Sequence, residues 1–256
     1  MTSHQDAILD QFTRQAAPFS TSPGIRDEAA LELVIGFSGA GPDDTVLDVA
    51  CGPGILACAF ARVVRHVTGI DITPAMLDRA RQLQGEQGLT NLEWRLGDVL
   101  PLPFSDGRFT LVVSRFAFHH FLDPAAVMRE MVRVCAPDGT VLVVDSAPAP
   151  DRAAAFNQME LVRDPSHVRA MPEVELAGLF TIAGLPAPRV TRYRLDGELE
   201  ALIARSFPKP GDDETLRRTF RASLANDDLG IVAREVDGRI LYGYPVAVLA
   251  ARRTPQ

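Results

Sequence analysis

Apolar positions along the chain change period several times, and each change marks an element. Between residues 45 and 146, short unbroken apolar runs alternate with segments whose apolar residues recur at helical spacing. Thr45 to Cys51 (TVLDVAC) is the first such run, followed by helix 53–64, strand 66–72 (HVTGIDI), helix 74–87, strand 92–97, strand 109–116 (FTLVVSRF), helix 123–134 and strand 140–146 (TVLVVDS). Runs apolar on both faces read as buried parallel strands. Separated by helices of this length, they imply right-handed crossovers and a doubly wound α/β sheet.

The flanks follow other patterns. Residues 1–38 read as one or two helices, broken at Ser20-Thr-Ser-Pro-Gly24 and resumed by the helical pattern of Ile25 to Phe37. Beyond 147 the periodicity loosens into helical stretches near 150–162, 172–183, 198–206 and 212–225. Val232 to Ala250 then places Asp237-Gly238 between two apolar runs, the dipeptide that permits a tight hairpin, read here as closing the far edge of the sheet. No internal repeat or low-complexity stretch interrupts the 256 residues, a length that suits one large domain or one domain with an appendage.

Charge narrows the partners. With 26 Lys+Arg against 33 Asp+Glu, a net of −7, the chain is a poor match to a phosphate backbone or an anionic membrane. Arg62, Arg65, Arg79 and Arg81 are dispersed without interleaved aromatics, a solvated surface and not a nucleic-acid track. No apolar stretch reaches the length of a membrane span, and MTSHQDAILDQF lacks the basic start and apolar run of a secretory signal, so the expected location is cytoplasmic. Three cysteines, Cys51, Cys58 and Cys135, form no CxxC pair and read as core residues, with neither a disulfide framework nor a metal site expected.

Leu47-Asp-Val-Ala-Cys-Gly-Pro-Gly-Ile-Leu-Ala57 carries the most chemistry: a hydrophobic strand runs into two glycines and then a helix. Glycines there allow a tight turn and let a ligand lie against the backbone. A nicotinamide or flavin site competes with other nucleotides for this pattern. Asp48 discriminates, because a carboxylate ahead of the glycines repels a pyrophosphate and attracts a cationic ammonium, as in an amino acid-bearing nucleoside. Two further acids end the next two strands. Asp71 is placed to accept hydrogen bonds from ribose hydroxyls, and Asp98 to take the exocyclic amine of adenine while Val99 covers a ring face.

Asp48–Gly54 (DVACGPG), Gly69-Ile-Asp71, Gly97-Asp-Val-Leu-Pro-Leu-Pro-Phe104 and Phe109–Phe116 together resemble the successive motifs of class I S-adenosylmethionine-dependent methyltransferases, over roughly residues 40–147. Within that superfamily the chain is most similar to the small-molecule branch that includes the ubiquinone/menaquinone C-methyltransferases. The resemblance implies a Rossmann-like, seven-stranded, mostly parallel sheet ending in an antiparallel hairpin, with a helical lid over 1–38, a methyltransferase domain over 39–256, a cofactor half at 40–147 and a substrate-covering insert at about 150–185. It also implies that S-adenosyl-L-methionine is bound with Ala50, Gly52 and Gly54 along its methionine part and Asp48 near the ammonium. Asp71 would hold the ribose, Ile72 would pack on adenine, and Asp98 with Val99 would bind its edge and face. Ser114, Arg115 and Phe116 would lie beneath the methionine. Thr110 departs from the family, which usually has Asp after Phe, at the end of the strand away from the expected site.

A sulfonium is already an activated methyl donor, so the protein's task is to place a nucleophile in line and exclude water, and a base helps only where the nucleophile must lose a proton. His119 and His120, in Arg115-Phe-Ala-Phe-His-His-Phe121, are candidates at the carboxyl edge of the fourth strand. Neighbours at a helix start point apart, so at most one of them should face the pocket. His167, in Arg163-Asp-Pro-Ser-His-Val-Arg169, is a third candidate, with Arg163 or Arg169 on an acidic or carbonyl group, or with Ser166 capping the next turn and both arginines solvated. Phe12 and Phe19 would exclude water from the lid, and Arg14 would reach a carboxylate. Met171, Leu176, Leu179, Phe180 and Ile182 read as core, and Trp94 as structural. The expectation is methyl transfer to a small organic acceptor through carbon, oxygen or nitrogen, with no nucleic acid, no stable membrane insertion and a homodimer compatible with the chain. Its rivals are a cofactor-binding protein that transfers nothing and a nicotinamide-dependent oxidoreductase.

Overall fold

The computed structural model describes residues 3–254. Two N-terminal helices, α1 (His4–Ser20) and α2 (Glu28–Ser38), precede the sheet. Each starts on a side-chain cap: Ser3 and Asp6 form a reciprocal capping box on α1, and Asp27 accepts from the Ala30 amide on α2. The α/β part follows as β1 (Thr45–Val49), α3 (Ile55–Ala61), β2 (His66–Asp71), α4 (Pro74–Glu86), β3 (Leu92–Leu96), β4 (Phe109–Arg115), α5 (Pro124–Val134) and β5 (Cys135–Ser146). Pro74 and Pro124 stand at the first turns of α4 and α5, where a missing amide hydrogen costs nothing. The remainder is α6 (Ala153–Arg163), α7 (Glu173–Ile182), β6 (Arg189–Glu198), α8 (Leu199–Ser206), α9 (Asp212–Asn226), β7 (Arg234–Val236) and β8 (Arg239–Arg252).

The sheet runs β3-β2-β1-β4-β5-β8-β6, seven strands in a continuous path with the short β7 paired to β8 off that path. β1 to β5 are mutually parallel, and β8 is antiparallel to both β5 and β6. The doubly wound, mostly parallel fold with a terminal antiparallel hairpin is therefore present. Asp237 and Gly238 make the turn between β7 and β8, with φ of 51° and 73°. One detail differs from the expectation: β8 inserts beside β5, and the far edge belongs to β6. That strand went unread because Arg192, Arg194, Asp196 and Glu198 put charge at every second position, a pattern that protects an edge and disguises a strand.

Alternation within the strands builds a core on each face. Val46, Leu111, Val113, Leu142 and Val144 pack on one side, and Leu47, Val49, Val112, Val141 and Val143 on the other. The chain runs outward from β1 through β2 to β3 and then returns to place β4 on the other side of β1, and this reversal of strand order opens a crevice beyond the carboxyl ends of β1 and β4. Thr110 lies at the opposite end, its hydroxyl donating to Asp44 at 2.7 Å. Among the described residues no helix is long and apolar enough to cross a membrane.

Candidate functional site

A cavity of about 490 Å³ occupies that crevice, floored by the ends of β1, β2 and β4 and roofed by α1. The chain leaves β1 in a curl: Ala50, Gly52 and Gly54 all have positive φ, at 55°, 52° and 75°. For Ala50 that conformation is strained, and strain of this kind gathers where a ligand must be met. The curl is fixed by the Cys51 amide donating to Ile70 at 3.0 Å and the Gly52 amide donating to Asp71 at 2.8 Å. A Cβ on Gly52 would meet no protein atom within 4 Å, so the backbone there is bare towards the cavity.

Asp48 lines the cavity and is only 1% exposed, yet its Oδ2 has no partner. Burial pushes its pKa up to about 8, against the pull of Arg115 in the other direction. Arg115 lines the same cavity at 9% exposure. Its Nη1 donates to the Ile25 carbonyl at 3.0 Å, while Nε and Nη2 are buried without partners. One wall thus holds a buried carboxyl and a buried guanidinium, each with polar atoms left unpartnered, an arrangement that costs stability unless a ligand completes it. Asp71, its pKa raised by burial, accepts from the Gly52 and Thr73 amides at 2.8 Å each, which leaves further lone pairs on both oxygens. Asp98 is exposed at the rim, folded onto the Val99 amide at 2.6 Å, and Val99 is buried beside it.

Of the residues singled out from sequence, Asp48, Ala50, Gly52, Asp71, Ile72, Asp98, Val99, Arg115, Phe116 and His120 meet on this cavity. Gly54 and Ser114 do not. Gly54 gives way to Trp94 instead, whose ring would lie 2.6 Å from a Cβ there. The Ser114 hydroxyl is spent on the Val49 carbonyl at 2.9 Å, tying β4 to β1. Phe12 and Phe19 of α1 face the cavity, whereas Arg14 pairs with Asp10 on the outside.

The three candidate histidines gather in one cluster, with ring centroids 4.2 Å apart for His119 and His120, 5.5 Å for His119 and His167, and 6.3 Å for His120 and His167. Only His120 lines the cavity. His119 turns inward and donates from Nδ1 to Asp145 at 2.5 Å; burial works against its protonation, but Asp145 raises its pKa overall. His167 donates from Nε2 to Asn157 at 2.7 Å, with its pKa lowered by burial to about 4. Arg163 is locked to Glu160 at 2.6 Å and Arg169 to Glu175 at 2.7 Å, so neither reaches the cavity.

Sequence reasoning missed Met76 and Ile8 on the cavity wall, and Asp145 behind His119. Asp145 carried a signal that went unused: an acid at the end of a buried strand, the same pattern that singled out Asp48 and Asp71.

Residues 47–143 match a family described as a methyltransferase domain. The chain is 31% identical over 205 residues to the methyltransferase YcgJ of Bacillus subtilis, covering 79% of this chain and 81% of that one. The crystal structure of YcgJ superposes with a TM-score of 0.80 at 25% identity, over 89% of this chain and 99% of that one. A 2-phytyl-1,4-naphtoquinone methyltransferase of Nostoc sp. is 33% identical over 118 residues, 44% of this chain and 52% of that one.

Proposed function

The chain belongs to the class I S-adenosylmethionine-dependent methyltransferases, and from that premise we propose how its cavity holds the methyl donor and what it accepts. The unpartnered Asp48 oxygen is the observation that carries the reading. A buried carboxyl and a buried guanidinium, both incomplete and on one wall, match the ammonium and carboxylate of an amino acid zwitterion. Asp48 takes the ammonium, which returns its raised pKa towards an ordinary carboxylate, and Arg115 faces the carboxylate. Gly52 and the strained Ala50 leave room for the methionine chain beside Phe116. Asp71 accepts from the ribose, Ile72 packs on the adenine, and Asp98 with Val99 meets its edge and face.

A bound sulfonium supplies a methyl group that needs no activation, so the protein's contribution is alignment and dryness. α1 serves as the lid, closing the cavity with Ile8, Phe12 and Phe19. The acceptor is a small organic molecule entering past the apolar rim of Leu100 and Leu122, which are 38% and 72% exposed. S-adenosylhomocysteine leaves as the second product.

Calorimetry tests the reading. S-adenosylhomocysteine should bind and NAD should not, and Asp48→Asn should weaken binding roughly 10- to 100-fold, the worth of a hydrogen bond to a charged group. Equal binding of NAD, or full affinity in Asp48→Asn, would overturn it. Labelled methyl transfer across an acceptor panel identifies what is methylated.

A further inference from the structure

His120 is the cavity side chain that the cofactor reading leaves unused. It sits in the turn after β4, its ring edge-on to Phe12 of α1 at 4.9 Å between centroids. Its Nδ1 lies 2.9 Å from the Ser166 carbonyl oxygen. A carbonyl oxygen only accepts, so Nδ1 carries the proton and Nε2 of the neutral ring is an acceptor alone. Ser166 is held in place, since its amide and hydroxyl both donate to the Asp164 carboxylate, at 2.8 and 2.6 Å. Among the described residues Nε2 has no hydrogen-bond partner, and the ring that carries it lines the cavity. Burial, reinforced by the neighbouring His119, drives the His120 pKa down and keeps the ring neutral.

The wall around it is apolar, formed by Phe12, Phe19, Phe121, Leu122 and Val127. Two other ionisable residues near it are engaged: His4 donates from Nε2 to the His120 carbonyl at 2.8 Å, and Asp123 caps α5 through the Ala126 amide. Ser3 and Gln5 also line the cavity, so a molecule bound here is offered apolar surface, the His120 acceptor and the polar side chains at the start of α1.

We propose that His120 is the proton acceptor of the reaction, and that the methyl acceptor is an apolar, ring-bearing molecule with a phenolic or enolic hydroxyl. This rests on the methyl-transfer reading above. In the step, Nε2 takes the hydroxyl proton, the electron pair of the O–H bond forms the new oxygen–carbon bond to the methyl group, and the pair of the old carbon–sulfur bond stays on sulfur. The products are a methyl ether, the neutral thioether S-adenosylhomocysteine and a protonated His120, which returns its proton to water when the site opens. One positive charge enters on the donor and one remains on the imidazole, so the closed cavity gains no net charge. A histidine of lowered basicity can serve only under that condition. A neutral amine attacks with a lone pair it already has and needs no acceptor in the step.

Two measurements test the proposal. A long-range proton–nitrogen NMR spectrum of the S-adenosylhomocysteine complex should show His120 protonated at Nδ1, with Nε2 shifting when a naphthol probe is added; protonation at Nε2, or no shift at saturating naphthol, overturns it. The second is turnover by mass gain across phenols, enols, amines and thiols. His120→Asn keeps a donor towards Ser166 and places nothing where Nε2 stood, and His120→Gln is the second variant. Both should bind S-adenosylhomocysteine as the wild type does and lose phenol or enol turnover by on the order of 10²- to 10⁴-fold. Wild-type turnover in either variant, or methylation confined to amines or thiols, overturns the assignment. Failure of the wild type to bind S-adenosylhomocysteine would instead sink the methyl-transfer reading itself.

Discussion

Two glycines of one loop do different work. Gly54 has φ of 75°, and a Cβ there would lie 2.6 Å from the Trp94 ring and 2.9 Å from Ala80. The ring cannot swing freely, because its Nε1 donates to Gln84 at 2.7 Å. Gly54→Ala therefore combines left-handed strain with overpacking and should destabilise the protein by about 2 kcal/mol or more in chemical denaturation. Gly52→Ala meets open space, so its cost to folding is the smaller left-handed strain, and its main effect falls on S-adenosylhomocysteine affinity. Equal stability losses in the two variants would refute this division. The sequence identified both glycines through one motif and could not separate them, since the partner that decides, Trp94, lies 40 positions away on another strand. Asp48 and Asp71 were legible as neighbours because each lies at or next to the end of a strand, which periodicity reveals, and both line the cavity. Ser114 lies next to a strand end too, but its hydroxyl turns to the Val49 carbonyl, and which neighbouring carbonyl takes it depends on sheet register.

At the scale of elements, α1 packs on α4 and α8 and presents the side chains that face the site. Gln11 donates to the Ser206 carbonyl at 2.6 Å, anchoring the helix to α8, and His4 donates to His120. Ile8, Phe12 and Phe19 also line the cavity, so a ligand that fills it adds contacts to the helix. S-adenosylhomocysteine should slow amide exchange across residues 8–19 and slow tryptic cleavage at Arg14. Gln11→Ala should speed cleavage in the ligand-free protein. Protection confined to the β1–α3 loop, with α1 unchanged, would show that the helix is not a lid. Phe12 and Phe19 were legible as candidates for the site and both line the cavity, but the histidine cluster was not legible, because His119 and His167 come together only when the segment after α6 pairs its Val168 and Arg169 amides with the His119 carbonyl.

For the whole molecule, the buried acids set how stability varies with pH. Asp48 is held at about 8 when folded, against an ordinary 3.8. Over that interval the folded state binds more protons than the unfolded one, so its contribution to stability is lost as pH rises from about 4 to 8. His119, with its pKa raised above 6.5, adds to the same alkaline decline. Glu160 and Asp164 act oppositely: burial would raise both, but Arg163 brings each down to about 2, so their contribution is full above the ordinary 4.5 and 3.8 and is lost as pH falls below them. His120 and His167, their pKa values lowered chiefly by burial, also cost stability as pH falls below 6.5, so the ligand-free protein should be most stable at about pH 6 to 6.5. A bound ammonium favours the ionised form of Asp48, so S-adenosylhomocysteine should raise Tm more at pH 8 than at pH 5.5, and Asp48→Asn should flatten the alkaline limb while weakening that gain. Thermal scans from pH 4 to 9, with and without ligand, measure both effects. A ligand-induced gain in Tm that is independent of pH would mean that the ammonium is held by some group other than Asp48.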